Sequence, residues 1–209
     1  MKPFKPRAVE LAAPKQQRNW DWRAAANFIC GGAGGGLLLV AAFAGLDAFA
    51  TRAALLMGLA LIGCGLTCVW FEIGRPWRAM NVYRHFATSW MTREAVVALV
   101  VFATGALAII TASVVLTLVA GACGAAFLYS QARILAANKG IPAWRHPASV
   151  PLMVSTGLAE GAGFAASVAA LAGAGPDTKL LVLLLVLLAV RVWCWRRYLA
   201  GLTRSGAPL

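Results

Sequence analysis

The chain is poor in charge, and above all in negative charge. Charged residues make up 12% of its 209 residues, and only seven of them are acidic. Soluble domains carry roughly a quarter charged residues, so this chain could not cover a water-facing surface with polar side chains. The composition therefore excludes an ordinary soluble enzyme, a disordered chain and a nucleic-acid-binding module.

Paired cysteines and clustered metal ligands are also lacking. The five cysteines form no Cys-x-x-Cys pair and mostly lie in apolar runs, so we expect small buried apolar residues rather than disulfides. The two histidines, His85 and His146, fall in predicted loops. A haem inside a membrane bundle needs axial ligands that face each other. No Cys, Asp or Glu cluster accompanies the histidines, and the sequence predicts neither haem nor metal.

Long hydrophobic runs dominate the chain instead. A bilayer-spanning helix needs about 20 mostly apolar residues. The uncharged run 95–132 has 38 residues. As one helix it would extend roughly 57 Å, about twice the hydrocarbon core, so we predict two helices with a turn near 111–113. The sequence predicts an all-α membrane bundle with six transmembrane helices: residues 24–46, 53–71, the two halves of 95–132, 150–172 and 180–198.

Basic residues are divided unequally between the two sides that six spans define. The side with both termini carries 17 of the 19 Lys and Arg residues, and the other side carries Arg52 and Lys179. The positive-inside rule places the basic side in the cytoplasm. We therefore predict cytoplasmic segments 1–22 and 201–209 around a membrane domain of residues 23–200. The polar N-terminal segment lacks the apolar core of a cleaved signal peptide.

All eight tryptophans fall on the same basic side. Tryptophans normally line both interfaces of a membrane protein, so a lipid-facing belt does not explain a one-sided set, although short outer loops with no room for Trp would. Trp and Arg concentrated on one face are typical of a docking surface. We predict that a partner protein docks there, through Trp77, Arg78, His85, Trp144 and Arg145.

One carboxyl group is predicted deep in the membrane. Glu160 lies about eleven residues into the fifth span, roughly 16 Å from its cytoplasmic end. Ionisable groups at this depth are costly and mark functional sites. The alternative is an ion pair inside the bundle, for which Arg191 on the sixth span is the obvious partner. The sequence leaves both interpretations open.

A second group of polar residues is predicted at one membrane level, near the cytoplasmic helix ends. A quinone head needs hydrogen-bonding groups, a flat apolar wall and a proton route, and this level could supply all three. Each residue alone also suits a helix cap or an interface anchor. The group consists of Asn27, Glu72, Arg75, Trp90 and Arg93.

Three segments resemble one family of membrane proteins. Residues 71–94, FEIGRPWRAMNVYRHFATSWMTRE, are similar to the loop of the NrfD/DmsC/PsrC family, in which a polar residue precedes L-G-R-P and S-W-M-x-R opens the next helix. Residues 19–36, NWDWRAAANFICGGAGGG, resemble its Trp-rich start and glycine-rich first helix. Residues 139–163 resemble its loop before the fifth helix.

The resemblance implies an anchor subunit for a molybdopterin catalytic subunit and an iron–sulfur subunit. Such anchors exchange electrons between the iron–sulfur subunit and the membrane quinone pool, menaquinone or ubiquinone, and hold no haem. By resemblance Asn27 and Glu72 lie near the quinone, with Arg23 beside them, and Arg75 and Trp90 shape the pocket or the docking face. Glu160 stands where the family would have a small residue. Many relatives have eight spans whereas six are predicted here, so the resemblance implies no counterpart of their last pair among these six.

The predicted orientation resembles the branch of the family with cytoplasmic catalytic subunits, in the bacterial inner membrane. The short chain is more similar to the small membrane subunit of phenylacetyl-CoA:acceptor oxidoreductase than to the anchor of a membrane sulfite dehydrogenase. A small proton-coupled transporter that uses Glu160 is a rival, and it would need an inverted repeat and discontinuous helices. A purely structural anchor without a quinone site is a third possibility.

Overall fold

A computed structural model describes residues 21–72, 86–138, 141–173 and 177–204 of the chain. This part of the chain contains six helices long and apolar enough to cross a membrane, and it contains no strand. The predicted all-α, six-span architecture is confirmed; the side of the membrane that the termini face stays a prediction. The helices are α1 (Trp22–Phe43), α2 (Ala48–Glu72), α3 (Trp90–Thr111), α4 (Val114–Ala136), α5 (Ser149–Leu171) and α6 (Thr178–Arg204), with a short 3₁₀-helix, Pro142–Arg145, before α5.

The long uncharged run is divided where the sequence predicts. Ala112 ends α3 in the left-handed region, with φ of 52°, and the Ser113 hydroxyl caps α4 by accepting from Leu116 N at 3.4 Å. A left-handed non-glycine residue is uncommon, and here it reverses the chain within two residues. Gly173, with φ of 80°, follows α5 in the same way.

Several helices, among them α3 and α6, are longer than the sequence predicts. α3 begins at Trp90, five residues before the apolar run, because the Ser89 hydroxyl caps it ahead of three polar residues. α6 continues to Arg204 and passes both its predicted end at residue 198 and the predicted domain limit at residue 200. Apolar runs locate the part of a helix inside lipid, whereas caps and polar turns set its ends.

The glycine-rich helix α1 lies at the centre of the bundle, against α2, α4 and α5. Its glycines contact the backbones of three different helices: a Cβ on Gly34 would meet the carbonyl of Gly58, one on Gly35 that of Gly124, and one on Gly36 that of Gly157. Small residues allow such close approach of helices in membranes. The glycine run of α1 therefore serves close helix packing.

The helices alternate in direction, so the starts of α1, α3 and α5 share one end of the bundle with the ends of α2, α4 and α6. Arg23 of α1 donates to the Phe71 carbonyl of α2 at 2.9 Å across this end. We call it the basic end. Among the described basic residues only Arg52 and Lys179 lie at the opposite end.

The last helix, α6, is peripheral and packs mainly against α5. Leu180, Cys194 and Leu202 are buried against the bundle, while most of its other side chains face outward. Cys194 is also the only fully buried cysteine among the five, and Cys64 is exposed. The expectation that the cysteines are uniformly buried was wrong, because an apolar span places residues toward lipid as readily as toward protein.

Candidate functional site

A buried polar cluster joins three helices just inside the basic end. Asn27 of α1, Glu94 of α3 and Gln131 of α4 are only 4%, 6% and 0% exposed. The side-chain amides of Asn27 and Gln131 lie within hydrogen-bonding reach of the Glu94 carboxyl group. Gln131 Nε2 also donates to the Asn27 carbonyl oxygen at 3.1 Å. We call these three residues the polar cluster; it holds one carboxyl and two carboxamides just inside the basic end of the bundle.

Glycines make the room that the polar cluster occupies. A Cβ on Gly31 would collide with the Gln131 side chain, and a Cβ on Gly65 would lie 3.0 Å from Asn27 Cα. The glycines of α1 and α2 therefore bring their backbones close to the amide side chains. The Ser89 cap fixes the start of α3 and with it the position of Glu94 on the second turn of that helix.

Three oxygens of the polar cluster have no hydrogen-bond partner among the described residues: Asn27 Oδ1, Glu94 Oε1 and Gln131 Oε1. An unpaired buried polar group lowers the free energy of unfolding by about 1–3 kcal/mol. Three such oxygens in one place therefore indicate that a hydrogen-bond donor binds among them. A proton on Glu94 would convert one acceptor into a donor to a neighbouring amide. The cluster can therefore hold a proton reversibly or accept hydrogen bonds from a hydroxyl-bearing ligand.

A group of cations and aromatic rings lies next to the polar cluster. The guanidinium carbons of Arg93 and Arg133 are 4.3 and 4.8 Å from the centroid of the Trp90 ring. Tyr129 meets the same ring edge-on at 5.9 Å and accepts a 3.3 Å hydrogen bond from Arg133 Nη1 at its hydroxyl. Trp90 thus holds two cations on the turn of α3 before Glu94.

Arg23, a predicted quinone-site residue, clamps the start of α1 to the end of α2. Its guanidinium pairs with Asp21 at 2.7 Å and donates to the Phe71 carbonyl. Asp21 in turn caps α1 by accepting from Arg23 N at 2.8 Å. These hydrogen bonds from Arg23 lower the pKa of Asp21 below its ordinary value. The clamp places the end of α2, where Glu72 stands, about one turn beyond Asn27.

The loop before α5 presents part of the predicted docking face. Trp144 is half-buried and Arg145 is exposed. The Trp144 carbonyl accepts from Ser149 Oγ at 2.6 Å, and His146 Nδ1 accepts from Ala148 N at 3.1 Å. The His146 ring packs edge-on against Tyr198 of α6, with centroids 5.6 Å apart. These contacts fix the loop against the bundle and leave Arg145 facing outward.

Glu160 lies apart from the polar cluster, at the middle of α5. It lines a cavity of about 460 Å³ between α1, α4, α5 and α6, which we call the lateral cavity. Arg191 lines it from α6, but its Nε donates to Thr156 Oγ1 at 3.2 Å, and the described residues contain no ion pair between Arg191 and Glu160. Both interpretations of Glu160 stay open, because Arg191 lies beyond ion-pair distance yet close enough for its charge to act on the Glu160 carboxyl group.

Part of the predicted site lies outside the described residues. This holds for Arg75, Trp77, Arg78 and His85 and for the side chain of Glu72. Of the other predicted site residues, Asn27, Arg23 and Trp90 lie together at the basic end. Three or more potential metal-binding side chains do not come together anywhere in the described part of the chain. The absence of haem and metal stays a prediction.

Sequence reasoning missed Glu94 and Gln131 as site residues. Glu94 stands four residues after Trp90, hence on the same side of α3, and Gln131 is the one carboxamide in the uncharged run 95–132. A polar side chain in an otherwise apolar span is costly unless it has a partner. That signal marks both residues, although it does not pair them with each other.

The fold and the site define a class of protein: a six-helix membrane subunit with a buried acid near one basic, aromatic-rich end. The family model described as DMSO reductase anchor subunit (DmsC) matches residues 27–199. The chain belongs to this family of membrane anchor subunits of DMSO-reductase-type enzyme complexes. A search of curated proteins gave no match.

Proposed function

We propose that the chain is the quinone-reactive anchor of its complex, exchanging electrons between an iron–sulfur subunit and the membrane quinone pool. The observation that carries the proposal is the polar cluster, a buried carboxyl whose unpaired oxygen lies beside two unpaired amide oxygens. Unpaired buried oxygens destabilise the bundle, and a proton or a hydroxyl-bearing ligand would supply the missing donors.

The three side chains of the polar cluster are at most 6% exposed, so a quinone head would lie beside the cluster, whose hydrogen-bonding groups match those that the head needs. The quinone supplies electron transfer coupled to protons, and its hydroxyl form needs acceptors of the kind that Asn27, Glu94 and Gln131 present. Glu94 holds or gives up the proton at its carboxyl oxygen. Asn27 and Gln131 orient that carboxyl group, and the apolar helices around it exclude water.

The proposed partners dock at the basic end. Membership of the anchor family supports assembly with catalytic and electron-transfer subunits of a molybdoenzyme. Arg93, Arg145 and the exposed Arg196 and Arg197 give this end a positive surface that steers and orients an acidic partner. By the positive-inside rule we place these partners in the cytoplasm of a bacterial cell. The complex then resembles phenylacetyl-CoA:acceptor oxidoreductase.

The direct test is to measure the quinone that the complex retains. Extraction of the detergent-purified complex should yield menaquinone or ubiquinone in a fixed ratio to the chain. Asn27→Ala should lower this ratio, because it removes one of the hydrogen-bonding groups of the cluster. Asp47→Asn at the opposite end is the control, since Asn also caps a helix. If the complex retained no more quinone per chain than micelles of an unrelated membrane protein, the chain would be a purely structural anchor and the proposal would be wrong.

A separate prediction concerns the proposed docking face, where Trp77 and Trp144 would anchor the soluble subunits. Replacing both Trp77 and Trp144 by Ala should shift the soluble subunits from the membrane fraction to the cytosol, as buried interface anchors are each worth about 2 kcal/mol or more. Phe49→Ala, at an exposed aromatic on the opposite end, should leave them bound. Fractionation with antibodies to the partner subunits measures this. Partners recovered from the periplasm, or fully retained by the double variant, would contradict the proposed docking face.

A further inference from the structure

The lateral cavity has the size and chemistry of a small-ligand site. Its volume of about 460 Å³ lies in the range of ligand pockets, roughly 300–1,000 Å³. Its walls are mostly apolar, with aromatic rings from Phe28 and Trp195. Polar groups enter it at few points, chiefly Glu160, Arg191 and Thr156. Such a cavity suits a flat apolar ring that carries a few polar atoms.

The two charged groups of the cavity are placed to receive an occupant. Arg191 donates to Thr156 and lies beyond ion-pair distance of Glu160, and the carboxyl and the guanidinium line the cavity from different helices. Ionisable side chains in a membrane are costly and mark substrate pathways. The guanidinium can donate to a carbonyl oxygen while the carboxyl group takes or gives a hydrogen bond at another oxygen. An anionic lipid head is disfavoured, because it would meet the carboxylate of Glu160 at mid-membrane depth.

The cavity also lies between the lipid and the polar cluster. Its rim includes Ile29, Val192 and Trp195, all about half or more exposed on the outer surface of the bundle. Its inner wall includes Gly32 and Leu128. A Cβ on Gly32 would lie 3.9 Å from Gln131 Oε1, so only this thin wall separates the cavity from the cluster. A molecule dissolved in the membrane would meet the cavity before it met Glu94.

We propose that the lateral cavity is the membrane-facing access site of the quinone. There Arg191 and Glu160 bind the oxygen atoms of the quinone ring before the ring reaches the polar cluster. The inference rests on the proposed function, and it goes further by assigning a second binding position to the α1–α5–α6 side of the bundle. It gives Glu160 a role distinct from that of Glu94. Glu160 and Arg191 are positioning residues here, since the electron exchange takes place at the cluster.

A photoreactive quinone tests this directly. The purified complex in lipid nanodiscs is irradiated with a short-chain azidoquinone, and the labelled peptides are identified by mass spectrometry. Label should appear in residues 28–32 of α1 and 152–160 of α5 as well as near Glu94. Met153→Trp should fill the cavity and lower its labelling roughly tenfold. Phe164→Trp is the matched control, because Phe164 lies on the same helix but outside the cavity.

Two milder variants keep the test independent of folding defects. Arg191→Gln should weaken azidoquinone labelling of the cavity roughly tenfold, the typical loss of one hydrogen bond from a charged donor. Thr156→Val keeps the side-chain volume and should weaken labelling less. Label confined to peptides around Glu94, unchanged in all three variants, would overturn the access site and leave the proposed function standing. If no peptide of the chain were labelled, both the access site and the proposed quinone-reactive function would be wrong.

Discussion

Replacing Glu94 by Gln should lower quinone-linked turnover of the assembled complex roughly a hundredfold. Gln has almost the same shape as Glu and keeps hydrogen bonds with Asn27 and Gln131, but it cannot exchange a proton. Electron transfer to a water-soluble dye from the soluble subunits bypasses the membrane site, so dye-linked turnover should be unchanged. The variant therefore separates the chemistry at the polar cluster from assembly of the complex.

The measurement compares both activities in the same membranes, each divided by the amount of assembled complex. Asp47→Asn is the matched carboxyl-to-amide control at the opposite end, and it should leave both activities unchanged. Equal loss of quinone-linked and dye-linked turnover in Glu94→Gln would show an assembly defect. Full quinone-linked turnover would remove Glu94 from the proposed mechanism and transfer the proton route to other residues, Glu72 first.

The membrane architecture could be predicted from the sequence because it follows from lengths and apolar runs. A run of 38 uncharged residues is too long for one span, and Ser113 is a suitable cap for the next helix, so the turn between α3 and α4 was predictable. The packing of α1 was predictable for a similar reason, since five glycines within six residues serve close helix contact better than any other purpose. These signals are local in the chain.

The polar cluster could not be assembled from the sequence, because its members are distant in the chain and each has an ordinary explanation. Asn27 was expected beside Glu72, on the basis of helix ends alone. The structure brings the Asn27 amide to Glu94 and Gln131, and Gly65 of α2 leaves room for Asn27 because a Cβ there would lie 3.0 Å from Asn27 Cα; the Glu72 side chain lies outside the described residues. Which helices adjoin each other is decided by packing, and a single sequence does not contain that information.

The structure bears on the rival function that the sequence left open, a small proton-coupled transporter that uses Glu160. α5 continues from Ser149 to Leu171 without a break at Glu160, and none of the other spanning helices is interrupted in the described part of the chain. Transporters that bind ions at mid-membrane typically use discontinuous helices there. The continuous helix and the adjoining lateral cavity favour a role for Glu160 beside the quinone path over a separate transport function.

Gly36→Ala should destabilise the bundle strongly although it adds a single methyl group. A Cβ on Gly36 would collide with the backbone carbonyl of Gly157, and one on Gly161 would collide with the backbone of Gly36. Neither backbone can rotate away as a side chain could, so α1 and α5 would have to separate. Overpacking of this kind costs about 1–3 kcal/mol. Gly161→Ala should have a similar effect from the other side of the contact.

The same helices supply graded controls for this prediction. A Cβ on Gly32 would make ordinary contacts of 3.6–4.0 Å, and one on Gly163 would have nothing within 4 Å. Thermal unfolding of the detergent-purified complex, followed by size-exclusion chromatography, should rank Gly163→Ala and Gly32→Ala near the unmodified chain and Gly36→Ala well below it. If all three variants unfolded at the same temperature, α1 and α5 would not be in backbone contact. The α1 wall of the lateral cavity would then have to be placed differently, because Gly32, which lines the cavity, lies one turn before Gly36 on α1.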